Sequence, residues 1–492
     1  MKRIVLIATL VGLWLQGVAA AALERTSPEA EGVPSGVVAA LIDSLMDLPD
    51  TEIHSVMVLR HGKVIGEAYP EPFGPEYRHT MYSCSKTFVA VGVGLAIADN
   101  RLRLTDRVAT FFPEAMPAEV SPELAAITVR DLLTMTAGIV PDWTLRNHTD
   151  AWLATYLGKP VQKPGEVFRY DSMCSYVLSA IVTKVTGKRL LDYLQDKLLA
   201  AMGIDDACWE VSPEGYNTGG WGLHIKPESL AKMGVLLSHG GEWEGRQLIP
   251  AEWVREMTRS QVAVAPCDYG YQTWRCEHPT AFRADGALGQ YILVEPVKDV
   301  VVVITECTLG NGRKQRELVW RLLLPAVQEE PLEAVAATKP ATYCLAMPAG
   351  KAGSPMMAEG DTIGIVTGEN PLGIAGITLT QRRGEMTALL RYADGSSAAL
   401  ALGHRKWLKA GTKVPPPYSI APRGRFNGID PHFVVAGSYA WKSRKALRLK
   451  LEYVNWVSAV ELEIAFGKDG AVSITGRENY KREPWKFQGK IM

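Results

Sequence analysis

Two hydrophobic periods divide the chain. Between about residues 85 and 205 apolar positions recur at spacings of three and four, so that Val177, Ala180, Ile181 and Val185 share one helical face before a break at Gly187. Beyond residue 342 the period is two. Leu447, Leu449, Leu451 and Tyr453 alternate with Arg448, Lys450 and Glu452, and Val460, Leu462, Ile464 and Phe466 alternate with polar or small residues before the turn GKDG. Ahead of the helical stretch, HSVMVLRHG and KVIGEAYPE predict a hairpin about His61-Gly62-Lys63. After it, Pro227 opens a further helix, FRADGALGQYILVEPVKDVVVVITEC predicts two strands about the turn Glu295 to Asp299, and GRKQRELVWRLLLPAVQ a closing helix. Strands at both ends with helices between them predict one antiparallel sheet assembled from the two termini of an α/β unit of the α+β type, with helices on its faces and a mostly helical insert. The segment Glu329 to Thr342 has little periodicity and reads as a linker. The expected layout is residues 23–328, a linker at 329–342, and a β-rich domain at 343–492, either barrel or sandwich.

The first 22 residues differ in kind. Lys2 and Arg3 precede an apolar run from Ile4 to Leu15, and QGVAAAALE follows with small residues at an A-x-A-like site. This predicts a cleavable signal peptide and an exported protein, periplasmic or secreted. No cysteine follows for lipid attachment, and no later run reaches the roughly 18 apolar residues of a membrane span.

Composition adds exclusions. In 492 residues Lys+Arg and Asp+Glu are equal at 53 each, so the chain lacks the basic excess of a nucleic-acid binder. Seven cysteines lie far apart without a C-x-x-C metal spacing. Cys267 and Cys276 flank DYGYQTWR, a candidate hairpin; a bridge between them and two buried thiols both remain open. The nine histidines form no H-E-x-x-H pattern, no G-x-S-x-G elbow occurs, and no metal or organic cofactor is implied. His224 reads as a structural histidine, and Trp221 and Trp274 fit either a cleft or a core.

The reactive chemistry gathers in MYSCSKTFVAVGVGLAIADN. Ser83 and Lys86 are S-x-x-K, and at helical spacing i and i+3 share a face. A lysine sheltered from water loses basicity and is neutral often enough to serve as a base. A serine N–H at a helix start is a free donor for an oxyanion. Ser229 and Lys232 satisfy the same pattern, so the motif alone does not choose. Tyr170-Asp171-Ser172 does, because a phenol beside a lysine can pass protons between nucleophile and leaving group.

These motifs together resemble the serine β-lactamase and penicillin-binding-protein superfamily, in particular its class C-related esterase-like branch. The resemblance spans about residues 25 to 328, through Ser83 to Lys86, ITVRDLLTMTAGI, Tyr170-Asp171-Ser172 with SYVLSAIVTKVTG, and GGWGLHIKPESLAKMG. It implies Ser83 as the acylated nucleophile, Lys86 and Tyr170 as the proton-shuttling pair, and an oxyanion hole from the backbone N–H groups of Ser83 and Ala287. It places the third motif at Ala284-Asp285-Gly286. Substrate contacts are then expected at Ser172, Ala284, Gly286 and Tyr291. Ser172 stands where the branch has Asn, and Ala284 where it has a cation or imidazole; Arg283 alternates to the opposite face of that strand. The expectation is a hydrolase of a small-molecule or peptide-like ester or amide. Alternatives are a true β-lactamase or D-Ala-D-Ala carboxypeptidase, or a non-catalytic module that binds or senses acyl ligands.

Overall fold

The computed structural model describes residues 22–310, 312–335 and 341–492. The expected leader lies almost wholly outside the described residues.

Six antiparallel strands form the first sheet, in the order Lys63–Ala68, Thr51–Arg60, Val300–Thr308, Gln290–Glu295, Phe282–Gly286, Trp274–Arg275. Its central seam pairs Thr51 with Thr308 and runs to Arg60 with Val300, so the sheet is joined from segments nearly 250 residues apart, as the pattern predicts. The run Val300 to Ile304 shows why that seam is interior. Val300, Val302 and Ile304 pack with Leu41 and Leu45 of the helix Ser35–Met46 and with Leu323 of the closing segment. Val301 and Val303 pack on the other face with the helices Ser85–Ala98 and Pro227–Ser238. A strand covered on both faces reads as continuous apolar sequence.

The Ser85–Ala98 helix is buried without interruption from Ser85 to Ala96, a central helix that is apolar all round. The insert after it is less helical than expected. From Asn100 to Tyr170 there are only short helices, among them Val129–Leu133 and Trp152–Leu157, because Pro113, Pro117, Pro122, Pro141, Pro160 and Pro164 punctuate the segment. In ITVRDLLTMTAGI, Thr128 and Asp131 form a capping box, while the strand-like start amounts to one bridge between Arg107 and Thr128. The helix Ser172–Thr186 ends as expected at Gly187, whose φ of 75° suits glycine.

The C-terminal strands form a barrel. Ten strands from Thr362–Thr367 to Trp485–Ile491 make one sheet, which closes through a short parallel pairing of Ser397–Gly403 with Phe433–Ser443. One strand departs from simple alternation. In Ala446–Tyr453 the polar Lys450 and Glu452 are buried as well as the leucines, because Lys450 Nζ lies 2.6 Å from Glu52 and 3.0 Å from Glu452. The barrel's outer face docks there on the first sheet, and Asn479 donates to the same Glu52 at 3.1 Å. The hairpin at DYGYQTWR forms, with Arg275 N–H donating to Asp268 at 2.8 Å, but all seven cysteines are free thiols, so the Cys267–Cys276 bridge is not made.

Candidate active site

The nucleophile segment enters under constraint. Met81 N–H donates to Leu223 at 2.9 Å, and Tyr82 follows with a φ of 43°, a strained conformation for an aromatic residue. Burial of the ring and a 2.7 Å hydrogen bond between the Tyr82 and Ser419 hydroxyls hold it. The next three side chains diverge. Cys84 is buried and its Sγ donates to Gln290 at 3.1 Å. Ser85 is fully buried and its Oγ accepts from Leu223 N–H at 3.1 Å. Ser83 lines a cavity of about 470 Å³.

Lys86 lies beneath Ser83 and is 1 % exposed. Its Nζ sits 3.0 Å from Ser83 Oγ, 3.0 Å from Ser172 Oγ and 2.7 Å from the Gly220 carbonyl. Burial, and then the neighbouring Arg146 cation, depress its pKa to about 7. The ring of Tyr170 lies 4.9 Å from Nζ, wedged against Trp274 and Tyr269. Desolvation raises the Tyr170 phenol, partly offset by a hydrogen bond with Ser83, so it keeps its proton at neutral pH. Ser172, expected as a substrate contact, thus also meets the lysine. A side chain at Gly220 would put Cβ 2.6 Å from Ser172 Cβ, so glycine is what lets that carbonyl reach Lys86.

The strand Phe282–Gly286 forms the opposite wall. A Cβ on Gly286 would stand 2.4 Å from the Met81 carbonyl, so this glycine sets the close approach of strand to nucleophile segment. Ala287, just beyond, is exposed on the wall of the cavity that Ser83 also lines. Two other expected contacts are not at the wall. Ala284 is buried in the core opposite Ile292. Tyr291 is buried in the other core layer, its hydroxyl 3.5 Å from Arg316.

Of the other wall residues, Trp221 and Trp274 take the cleft alternative, while Trp143, Arg146 and Ile420 carried no signal in the sequence pattern. Arg283 does pair across the strand with Leu293, on the face away from Ala284, yet its guanidinium reaches the rim, 5.7 Å from the Trp274 ring and 2.8 Å from Asp285. Trp143, Arg146 and Trp221 line the far side, and Ile420 comes from the barrel segment that also bonds Tyr82. Trp221 Nε1 donates to the buried Glu210 at 3.0 Å, and Tyr418 of the barrel donates to the same carboxylate at 2.6 Å. A lone arginine in an irregular, proline-flanked stretch has no spacing to betray it. The second S-x-x-K is core: Ser229 donates to Asp206 at 2.5 Å and Lys232 to the Met202 carbonyl at 3.0 Å. His224 is buried and stacked 4.3 Å from Trp456 of the barrel. Among the described residues no three His, Cys, Asp or Glu side chains are arranged to hold a metal ion.

Comparison with known proteins converges on one family. The Beta-lactamase family model matches residues 38–324. The 6-aminohexanoate-dimer hydrolase of Paenarthrobacter ureafaciens is 26% identical over 318 residues, 58% of this chain and 81% of that protein. A beta-lactamase of Pseudomonas fluorescens is 23% identical over 211 residues, 39% of this chain and 58% of that protein. Among solved structures, the octameric penicillin-binding protein homologue from Pyrococcus abyssi shares the fold at a TM-score of 0.50 and 16% identity, covering 93% of this chain and 99% of that one.

Proposed function

The chain belongs to the beta-lactamase family, and we propose on that footing that it is a serine hydrolase cleaving an ester or amide through an acyl-enzyme on Ser83. One observation carries the reading: Ser83 Oγ stands on a cavity wall, 3.0 Å from a buried lysine whose pKa falls to about 7. Neutral Lys86 accepts the hydroxyl proton as Ser83 Oγ attacks the carbonyl carbon. The backbone N–H groups of Ser83 and Ala287 receive the oxyanion. Tyr170, still protonated, gives its proton to the departing oxygen or nitrogen and is reprotonated through Lys86. Water then attacks the acyl-enzyme with the same groups acting in reverse.

Ser172, touching Lys86, and Gly286, setting the strand's approach, support binding and geometry; Ala284 is packed in the core and the neighbouring Arg283 is paired with Asp285 at 2.8 Å, so the strand offers no unpaired cation like that of the resembled motif. That favours an ester or amide over a β-lactam or D-Ala-D-Ala stem. The relative named for the 6-aminohexanoate dimer is in keeping with this choice. We read the hydrolase unit as residues 23–328, followed by a linker at 329–342 and an accessory β unit at 343–492, and the protein as exported. A fluorophosphonate probe should label the protein, with the adduct mapped to Ser83 by peptide mass spectrometry; labelling retained in Ser83→Ala would overturn the assignment. Turnover of a chromogenic cephalosporin far above that of every p-nitrophenyl ester and D-amino-acid peptide would overturn the substrate preference.

A further inference from the structure

Arg146 is the most unusual charge in the cavity. It comes from the short helix Leu145–His148 and is 5 % exposed, yet its side chain forms part of the cavity wall that also holds Ser83. The guanidinium lies 4.2 Å from the Trp221 ring and 5.8 Å from the Trp143 ring, stacked in place by one and bordered by the other. One Nη donates to the Trp143 carbonyl at 3.2 Å, and the buried Nε–H has no acceptor among the described residues. Burying a guanidinium without a counter-charge is costly.

The acids whose charges act on it each have other partners, with Asp171 Oδ2 alone left buried without a hydrogen bond. Asp142 is 2.8 Å from Lys159, Asp171 caps the helix Ser172–Thr186 at 2.9 Å, and Glu210 accepts from Tyr418 and Trp221. Burial also raises the Asp171 and Glu210 carboxyls, the latter to about 7, so Glu210 is only partly ionised at neutral pH. At the other end of the cavity Asp285 is matched by Arg283 at 2.8 Å and faces Arg316 at 4.0 Å. The cavity therefore presents a fixed arginine with no ion pair among the described residues, in a wall it shares with the apolar side chains of Trp143, Trp221, Trp274 and Ile420.

We propose that Arg146 is the anchor for a carboxylate on the substrate, so that the enzyme takes acidic esters or amides in which an apolar spacer separates the scissile carbonyl from a carboxylate. This rests on the hydrolase reading above and names its substrate class. A guanidinium with N–H groups left over from its own fold contacts receives a carboxylate by charge-assisted hydrogen bonds. Such bonds contribute roughly 1.5–3 kcal/mol, which corresponds to a selectivity of about 10- to 100-fold.

The test uses the full chain and two pairs of substrates. p-Nitrophenyl hydrogen adipate against its methyl ester places the acid on the acyl side; 4-acetoxybenzoate against its methyl ester places it on the leaving group. In the wild type the acid of at least one pair should exceed its methyl ester in kcat/KM by about tenfold or more, and the responding pair identifies the side. Arg146→Gln should abolish the ratio by lowering the acid's kcat/KM, and Arg146→Lys should keep part of it. A ratio near one for both pairs in the wild type overturns the proposal, as does a ratio that survives in folded Arg146→Gln. Should Arg146→Gln fail to fold, the wild-type ratio and its partial retention in Arg146→Lys still decide. Fluorophosphonate labelling of Ser83 reports the hydrolase reading separately. Were labelling absent, calorimetric binding of hexanoate against hexanamide to wild type and Arg146→Gln would judge Arg146 by itself: tighter hexanoate binding that needs Arg146 supports it, and equal binding overturns it.

Discussion

At the residue scale the site depends on which of several similar side chains faces the cavity. Ser83 and Ser85 flank one cysteine, but only Ser83 has a lysine at i+3, and Ser229 repeats that motif, so spacing alone does not choose between Ser83 and Ser229. Burial does: Ser85 Oγ is the acceptor for Leu223 N–H, and Ser229 is tied to Asp206. Ser85→Ala should therefore leave a buried N–H unsatisfied and lower stability by about 1–3 kcal/mol, read as a drop in Tm, while Ser83 still takes the fluorophosphonate; loss of labelling in folded Ser85→Ala would contradict this. The pH profile tests Lys86. Its depressed pKa means that the neutral base is scarce below about 7, so acylation should rise with pH through that value and then level. Arg146 is a like charge that lowers this pKa, so Arg146→Gln should move the acid limb to higher pH. A limb that stays put or moves down would show that Arg146 does not act on the lysine. Ser83, Lys86 and Tyr170 were legible because a short motif and a tyrosine-centred run carried them. Arg146 was not, because it sits in a stretch without period.

At the scale of elements, what matters is the separation of the Phe282–Gly286 strand from the turn bearing Ser83. Gly286 sets it, since a Cβ there would press on the Met81 carbonyl at 2.4 Å. Backbone on backbone has little room to yield, so Gly286→Ala should part the two halves of the proposed oxyanion hole. A displacement of about 1 Å costs on the order of 100-fold in kcat, and a Gly286→Ala variant with unaltered kcat would refute the assignment of this glycine. The strand also shows how far alternation carries. It correctly placed Ala284 and Arg283 on opposite faces, as their partners Ile292 and Leu293 confirm. It missed that a long side chain near an edge can curl back to the rim, where Arg283 meets Trp274 and Asp285. It also could not show that Tyr291, one strand inward, is packed with Arg316 away from the cavity. Periodicity reports the direction of a Cβ, and a wall is made by where the far end of the side chain finishes.

Over the whole molecule the barrel and the first sheet share one core and one cavity. Trp456 stacks on His224, Ser419 holds the strained Tyr82, and Ile420 reaches the cavity wall, so the barrel contributes to the site as well as to the fold. The period-two pattern foretold a β unit but not this contact, because Tyr418 to Ile420 lie in a proline-rich stretch between strands. Glu210 is the joint between the halves, accepting from Tyr418 on one side and Trp221 on the other. Burial raises its pKa from 4.5 to about 7. The folded state thus holds a proton that the unfolded chain has released over this range, so the group's contribution is full below about pH 4.5 and is lost as pH rises through 7. Glu210→Gln keeps an acceptor for Trp221 Nε1–H, turns an amide N–H donor toward the Tyr418 hydroxyl oxygen, and removes the titration. Relative to wild type, the variant's stability should grow between pH 4.5 and 7, by on the order of 2 kcal/mol, and level above it. Tyr418→Phe, which takes from the carboxylate a donor that favours its charged form, should raise the Glu210 pKa further and extend the wild-type loss to higher pH. A Tm difference between Glu210→Gln and wild type that is independent of pH would mean that the carboxylate is ionised throughout and that the two halves are held together by packing alone.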